Sequence, residues 1–302
     1  MPTTAPDEAP LADSLTQRLE SLLDRLEALL PPIAHTDWSA SAFRWRTRQY
    51  LGVRIGSLEA VHRIARIAPE DLQHVDAQKD AVLRNTQQFV RGLPANNVLL
   101  TGARGTGKSS LIRACLVQFQ ADGLRLIEVD KHELIDLPDI VERVAGRSER
   151  FIVFCDDLSF DEGEGSYKAL KAALDGSVAA PSENILIYAT SNRRHLMPEY
   201  MRENLDTKYQ EDGEIHPGET VEEKISLSER FGLWLSFYPF RQDDYLDIVA
   251  HWLTHYGADT SLIEAARTEA LQFALLRGSR SGRVALQFAR DVAGRHGLAL
   301  GV

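Results

Sequence analysis

Gly102-Ala103-Arg104-Gly105-Thr106-Gly107-Lys108-Ser109 matches the spacing G-x-x-x-x-G-K-[ST], a pattern suited to holding phosphate. The glycines permit a tight positive-φ turn in which successive backbone N–H groups face one anion, where a Cβ would obstruct. The apolar run Val98-Leu99-Leu100 leads into the turn, and a helical pattern beginning near Lys108 leads out. The turn therefore ends on a helix N-terminus, whose partial positive charge favours an anion. Lys108 is placed to reach the β- and γ-phosphates of a nucleotide, and Ser109 to offer its hydroxyl to Mg²⁺. Residues Gly102 through Ser110 are expected to form the nucleotide-binding segment.

About 50 residues on, Phe151-Ile152-Val153-Phe154-Cys155-Asp156-Asp157 is an apolar strand ending in two acids. A carboxylate at the C-terminal tip of a strand beside the phosphate loop can hold Mg²⁺ directly or through water, and that role falls to Asp156. Asp157 beside it is the candidate to polarise an attacking water.

These groups need a scaffold. From about residue 71 short apolar runs alternate with amphipathic stretches, the pattern of an α/β domain. The runs are 98–100, 124–129, 151–155, 185–189 and 234–238, and helical patterns separate them at 111–119, 167–174 and 197–205. Continuous apolar strands with helical crossovers imply a parallel five-stranded sheet covered on both faces. After Pro239 no strand signal returns. Residues 243–256, 260–276 and 283–293 read as helices, so 241–302 is expected to form a helical lid and 71–240 the nucleotide-binding domain. Between the last two strands, Asp206 to Lys224 is too polar to be core. It reads as a solvated insertion or a contact loop toward a substrate or neighbouring subunit.

The first 70 residues are expected to be a helical extension with a mobile tail of about ten residues. Leu11, Leu15, Leu19, Leu22, Leu26 and Leu29 recur three and four apart, a stripe stopped by Pro31-Pro32. That stripe can dock on the protein's own core or on a partner. Beyond it, Arg44, Arg46, Arg48 and Arg54 interleave with Trp38, Phe43, Trp45 and Tyr50, as on an exposed face with aromatic anchors beneath.

Across 302 residues, 44% are hydrophobic, enough to bury a sizeable core. With 34 basic against 44 acidic residues the net charge is −10, which argues against coating nucleic acid by bulk electrostatics and leaves a local basic groove open. Cys115 and Cys155 have no metal-ligand spacing and sit in apolar runs, so buried reduced thiols are expected. No signal-like segment opens the chain, and no apolar run reaches the roughly 18 residues needed to span a bilayer. A cytoplasmic protein with no membrane association is expected.

Taken together, Leu72 to about Ala293 resembles an AAA+ ATPase. The stretch from Asn96 to Ser110, with Arg230-Phe231-Gly232-Leu233-Trp234-Leu235, is similar to the bacterial domain of unknown function 815 family. The Arg-Phe element also resembles replication initiators and helicase loaders. The resemblance implies ATP and Mg²⁺ as cofactors. It also implies that the strand 185–191 is inserted between the phosphate-loop strand and the acid-bearing strand. Asn192 at its end would then orient the water or contact the γ-phosphate, although a turn Asn is the plainer reading. Arg230 resembles the arginine finger that reaches a neighbouring subunit's nucleotide, and Arg283, or failing it Arg280, the lid's sensing arginine. Leu72 to Asp76 would close over the base, with ordinary helix packing as the equal alternative. Asp157 stands where most relatives carry Glu, and no aromatic pore-loop motif is present. The implied protein is an ATP-dependent switch or remodeller, a homo-oligomer with ATP sites at subunit interfaces and a protein or nucleoprotein partner. Two rivals are a nucleotide-dependent binding module that barely hydrolyses and a small-molecule kinase.

Overall fold

The computed structural model describes residues 17–22, 35–64, 67–160, 165–175, 183–193, 196 and 227–298. The helix read at 197–205, the acidic stretch 206–224 and most of the leucine stripe lie outside them.

Among the described residues seven strands form one sheet: β1 (Ala42–Tyr50), β2 (Val53–Ala60), β3 (Val98–Gly102), β4 (Leu124–Glu128), β5 (Arg150–Cys155), β6 (Ile185–Ser191) and β7 (Leu233–Phe237). Their order is β2-β1-β4-β5-β6-β3-β7, parallel throughout except for the β1–β2 pair. The sheet thus has seven strands instead of the expected five, because residues 42–60 are a β-hairpin and not part of a helical extension. The physical signal was period-two alternation: Phe43 and Trp45 are buried while Arg44, Arg46 and Arg48 face outward. Leu51 and Gly52, with φ of 47° and 82°, turn the chain in place of the usual Asn-Gly or Asp-Gly pair.

Both faces of the sheet are covered, as a parallel sheet requires. On β5, Ile152 and Phe154 enter one apolar layer, whereas Phe151, Val153 and Cys155 enter the other. The first layer contains α1 (Asp76–Val90), α2 (Lys108–Phe119) and the lid helices; the second contains α3 (Leu137–Val144) and α4 (Gly165–Asp175). Both cysteines are buried free thiols. Desolvation pushes Cys115 up to about 12 and Cys155 strongly upward, so both stay protonated near neutrality.

The three C-terminal helices, expected to form the lid, are α5 (Gln242–His255), α6 (Thr260–Leu276) and α7 (Gly282–Arg295). Asp259 and Ser281 cap α6 and α7, accepting from Leu262 N and Val284 N. Among the described residues no helix is long and apolar enough to cross a membrane.

The hairpin is tied to the domain through Trp45, which is fully buried and donates from Nε1 to Asp136 Oδ2 at 3.2 Å. Asp136 also accepts from Thr47 Oγ1 and Arg54 Nη2. Gly56 lies under the indole, where an added Cβ would fall 1.9 Å from Trp45 Cζ2. Gly56→Ala is therefore expected to cost about 1–3 kcal/mol by displacing the ring; a lowered urea midpoint in tryptophan fluorescence checks this.

Candidate functional site

The phosphate loop is held by its neighbours before any ligand is considered. Gly102 has φ 122°, and a Cβ there would meet the Phe237 carbonyl oxygen at 1.9 Å. Only glycine allows β3 and β7 to approach so closely at the start of the turn. Ala103 N then donates to Phe237 O at 3.1 Å, and Thr106 Oγ1 donates to Ala103 O at 2.8 Å, closing the loop. Gly107, at φ 101°, caps α2 without a side-chain bond, leaving the first-turn N–H groups directed at the cleft.

Lys108 is buried at 5% exposure. Its Nζ donates to Gly102 O (2.9 Å), Ala103 O (2.7 Å) and Asn192 Oδ1 (3.0 Å). Desolvation brings its pKa down to about 8; Asp156 and Asp157 oppose the fall, while Arg283 and Arg104 add to it. A cation so poised gains from an anion that restores its electrostatic environment.

The two acids follow β5 onto an exposed turn, and β6 fixes them there. Asp156 Oδ1 accepts from Ser109 Oγ at 2.5 Å and from Thr190 Oγ1 at 2.6 Å. Thr190 Oγ1 in turn accepts from Asp157 N at 3.0 Å. Asp157 adopts φ 53° and its Oδ1 accepts from Asn192 Nδ2 at 2.6 Å. Lys108, Ser109, Asp156, Asp157 and Asn192 are thus linked in one network because β6 pairs with both β3 and β5.

No group of three or more His, Cys, Asp and Glu able to hold a metal occurs among the described residues. Mg²⁺ needs no such cage. It binds through one or two protein oxygens and completes its shell from phosphate and water. Ser109 Oγ and Asp156 Oδ1 are chemically suited to that task.

A cleft of about 990 Å³ extends from this network between the sheet domain and the lid. Arg104 through Ser110 and both acids line one end, Ile67, Leu72 and Val75 one wall, and Ile248, Trp252 and Tyr256 the opposite wall. The segment 72–76 therefore does border the cleft. His251 Nε2 lies 3.3 Å from Asp71 Oδ1, and His74 pairs with Asp244 and Asp247, so this segment is tied to α5 at two points.

Arg283 lines the cleft, and its backbone N donates to Gly105 O at 3.4 Å. Arg280 instead borders a second groove on the far side of the loop. Arg230 does not line the cleft of its own chain and is ion-paired to Asp175 at the end of α4. Several cleft residues carried no sequence motif. Arg113 lies 3.9 Å from Asp156 Oδ2, and Arg290 Nε donates to the Tyr256 hydroxyl. The one available signal was spacing: Arg283, Leu286 and Arg290 share a helical face.

The family model described as "Protein of unknown function (DUF815)" matches residues 38–296. The chain belongs to the DUF815 family. The DUF815 chain has no match among curated proteins. Among solved structures, it is similar to a Thermotoga maritima RuvB variant at TM-score 0.49 and 15% identity, covering 77% of this chain and 67% of that one. It is similar to the ORC1 protein of Aeropyrum pernix, solved in complex with DNA, at TM-score 0.49 and 17% identity, covering 74% and 61%. A HORMA:CdnC:Trip13 complex of E. coli MS115-1 gives TM-score 0.47 and 12% identity, covering 75% and 92%. In the sheet of this chain β6 lies between β3, which leads into the phosphate loop, and β5, which ends at the two acids, the strand order that the resemblance to AAA+ ATPases implied.

Lys108 itself provides a check on the network. Nζ or Cε resonances of Lys108, assigned with Lys108→Arg, are expected to titrate near 8. Asp156→Asn removes the largest opposing charge and is expected to lower that midpoint further.

Proposed function

We propose that this protein is a Mg²⁺-dependent ATPase that acts as a switch or remodeller of a macromolecular partner. The observation that supports the reading best is the single hydrogen-bonded network joining Lys108, Ser109, Asp156, Asp157 and Asn192 through Thr190, at one end of a cleft of about 990 Å³.

In this reading the backbone N–H groups of 104–109 and the Lys108 ammonium bind the triphosphate. Ser109 and Asp156 would hold Mg²⁺, which would supply charge neutralisation at the phosphates. Asp157 Oδ2 accepts a proton from the attacking water, while Asn192 holds the carboxylate through Oδ1. Arg283 carries its charge from the lid to the phosphates, so opening and closing of the lid follows the state of the nucleotide. Arg230, being outside its own cleft, serves the site of a neighbouring copy in a homo-oligomer. The base lies toward Leu72, Ile248 and Trp252. Asp157 is shorter than the usual Glu and already bonded to Asn192, which favours slow hydrolysis and keeps a nucleotide-gated binding module as the second reading.

Lys108→Ala is expected to abolish binding of a fluorescent adenine nucleotide. Asp157→Asn should keep affinity within about threefold and lower phosphate release by roughly 10²-fold or more. Equal release from wild type and Asp157→Asn supports the binding module instead, and unchanged affinity in Lys108→Ala removes both readings. Arg230→Ala is expected to retain affinity and lose turnover, with partial recovery on mixing with Lys108→Ala.

The pH dependence has a definite sign. A bound polyphosphate favours charged Lys108, and the free group loses its proton as pH rises through about 8. Affinity is expected to fall up to about tenfold between pH 7 and pH 9 by calorimetry, and Lys108→Arg should flatten the profile.

A further inference from the structure

α6 is apolar on two sides. Ala266, Ala270 and Ala274 are buried in the core, and Phe273 packs on Phe288 of α7. Leu271, Ala274 and Leu275, at i, i+3 and i+4, form a second apolar strip down the end of the helix. That strip opens on the second groove, about 640 Å³, whose other wall is the phosphate loop and Phe240. Leu275 is 81% and Leu276 86% exposed, and Tyr238, just before the groove wall at Pro239, is 74% exposed. Leu276 and Tyr238 carry the apolar surface beyond the groove itself. Large apolar side chains gathered in this way mark a contact surface.

The charge at this groove has one sign. Arg104 and Arg280 are exposed at its rim, and no Asp or Glu lines it. Among the described residues neither arginine makes an ion pair. In a chain of net charge −10 such a groove is a local exception. Its complement is a helix whose apolar face is flanked by carboxylates, since helix faces pack through the same three-and-four spacing. A small anion would leave Leu276 and Tyr238 in water. Mostly aliphatic walls and two arginines also suit nucleic acid poorly, because it binds through stacking platforms and many phosphate contacts.

The exposed apolar residues described in this chain lack the complementary pattern. Leu51 and Val53 stand beside Arg48 and Arg54, and Leu93 follows Arg91. Ile135 is a single side chain, and the helix at 17–22 sets Arg18 against Glu20. An arginine rim repels the first three and gains little from the last.

We propose that this groove docks an acidic, amphipathic helix of a partner protein, with its apolar face on α6 and its carboxylates on Arg104 and Arg280. This names a partner chemistry for the remodeller described above, and the consequence of docking rests on that reading. Arg104, Thr106 and Phe240 border both the groove and the nucleotide cleft, so an occupant touches the phosphate loop directly. Docking itself is measured without nucleotide and therefore holds or fails apart from ATP binding and hydrolysis.

The probe is a fluorescein-labelled peptide of about 20 leucines and glutamates, its leucines three and four apart, long enough to form a helix. Fluorescence anisotropy with the full-length protein is expected to show saturable binding that weakens as NaCl is raised. Leu275→Asp/Leu276→Asp and Arg280→Glu should each weaken it by at least about tenfold. These side chains are already exposed, so the circular dichroism spectra should match wild type. Arg84→Glu changes an exposed charge that does not line the groove and should stay within about twofold. The proposal is overturned by a wild type that binds no peptide, by unchanged binding in either groove variant, or by an equal loss in Arg84→Glu. In sedimentation velocity, a wild type that self-associates and becomes monomeric in Leu275→Asp/Leu276→Asp would put a second copy in the groove and overturn it too.

Discussion

A buried ammonium group governs the arrangement of this molecule. Removing Lys108 from water costs several kcal/mol unless acceptors replace the lost hydration. Two loop carbonyls and the Asn192 side chain supply them, and two carboxylates add a favourable field. The same desolvation makes the cation responsive to an incoming anion. Glycine at 102, 105 and 107 is what lets the backbone wrap closely enough to place those carbonyls.

Sheet order does the rest of the positioning. Insertion of β6 between β3 and β5 brings Thr190 and Asn192 between the phosphate loop and the acids. One hydroxyl, that of Thr190, bonds both to the Asp156 carboxylate and to the Asp157 backbone. The acids therefore sit on an exposed turn yet have little freedom, a combination suited to chemistry that depends on orientation. The lid faces this network across the cleft, joined to the sheet domain by Arg283 N on Gly105 O and by the histidine–aspartate pairs at residues 71 and 74. Those polar contacts add to an apolar layer that the lid helices share with α1, α2 and one face of the sheet.

Much of this was legible in the residues themselves. The phosphate loop, the acid-tipped strand and the three lid helices follow from local rules: glycine spacing, apolar runs of strand length and helical periodicity. The hairpin was missed because its alternation was interleaved with arginines and its turn is Leu51-Gly52, a weak local signal whose pairing partner, β4, lies some 80 residues away. Arg113, Thr190 and Tyr256 were equally silent, since each is ordinary in its own segment and meaningful only through what it faces.

By itself, then, the sequence determined that a glycine-rich turn joins a buried strand to a helix and that three further helices close the described chain, because such features depend on backbone conformation within a few residues. Tertiary structure alone decided that the sheet has seven strands, that Arg283 and not Arg280 enters the cleft, and that Arg230 stays outside it. Those outcomes depend on strand order and on helix rotation relative to the sheet, quantities set by long-range packing that no local pattern encodes.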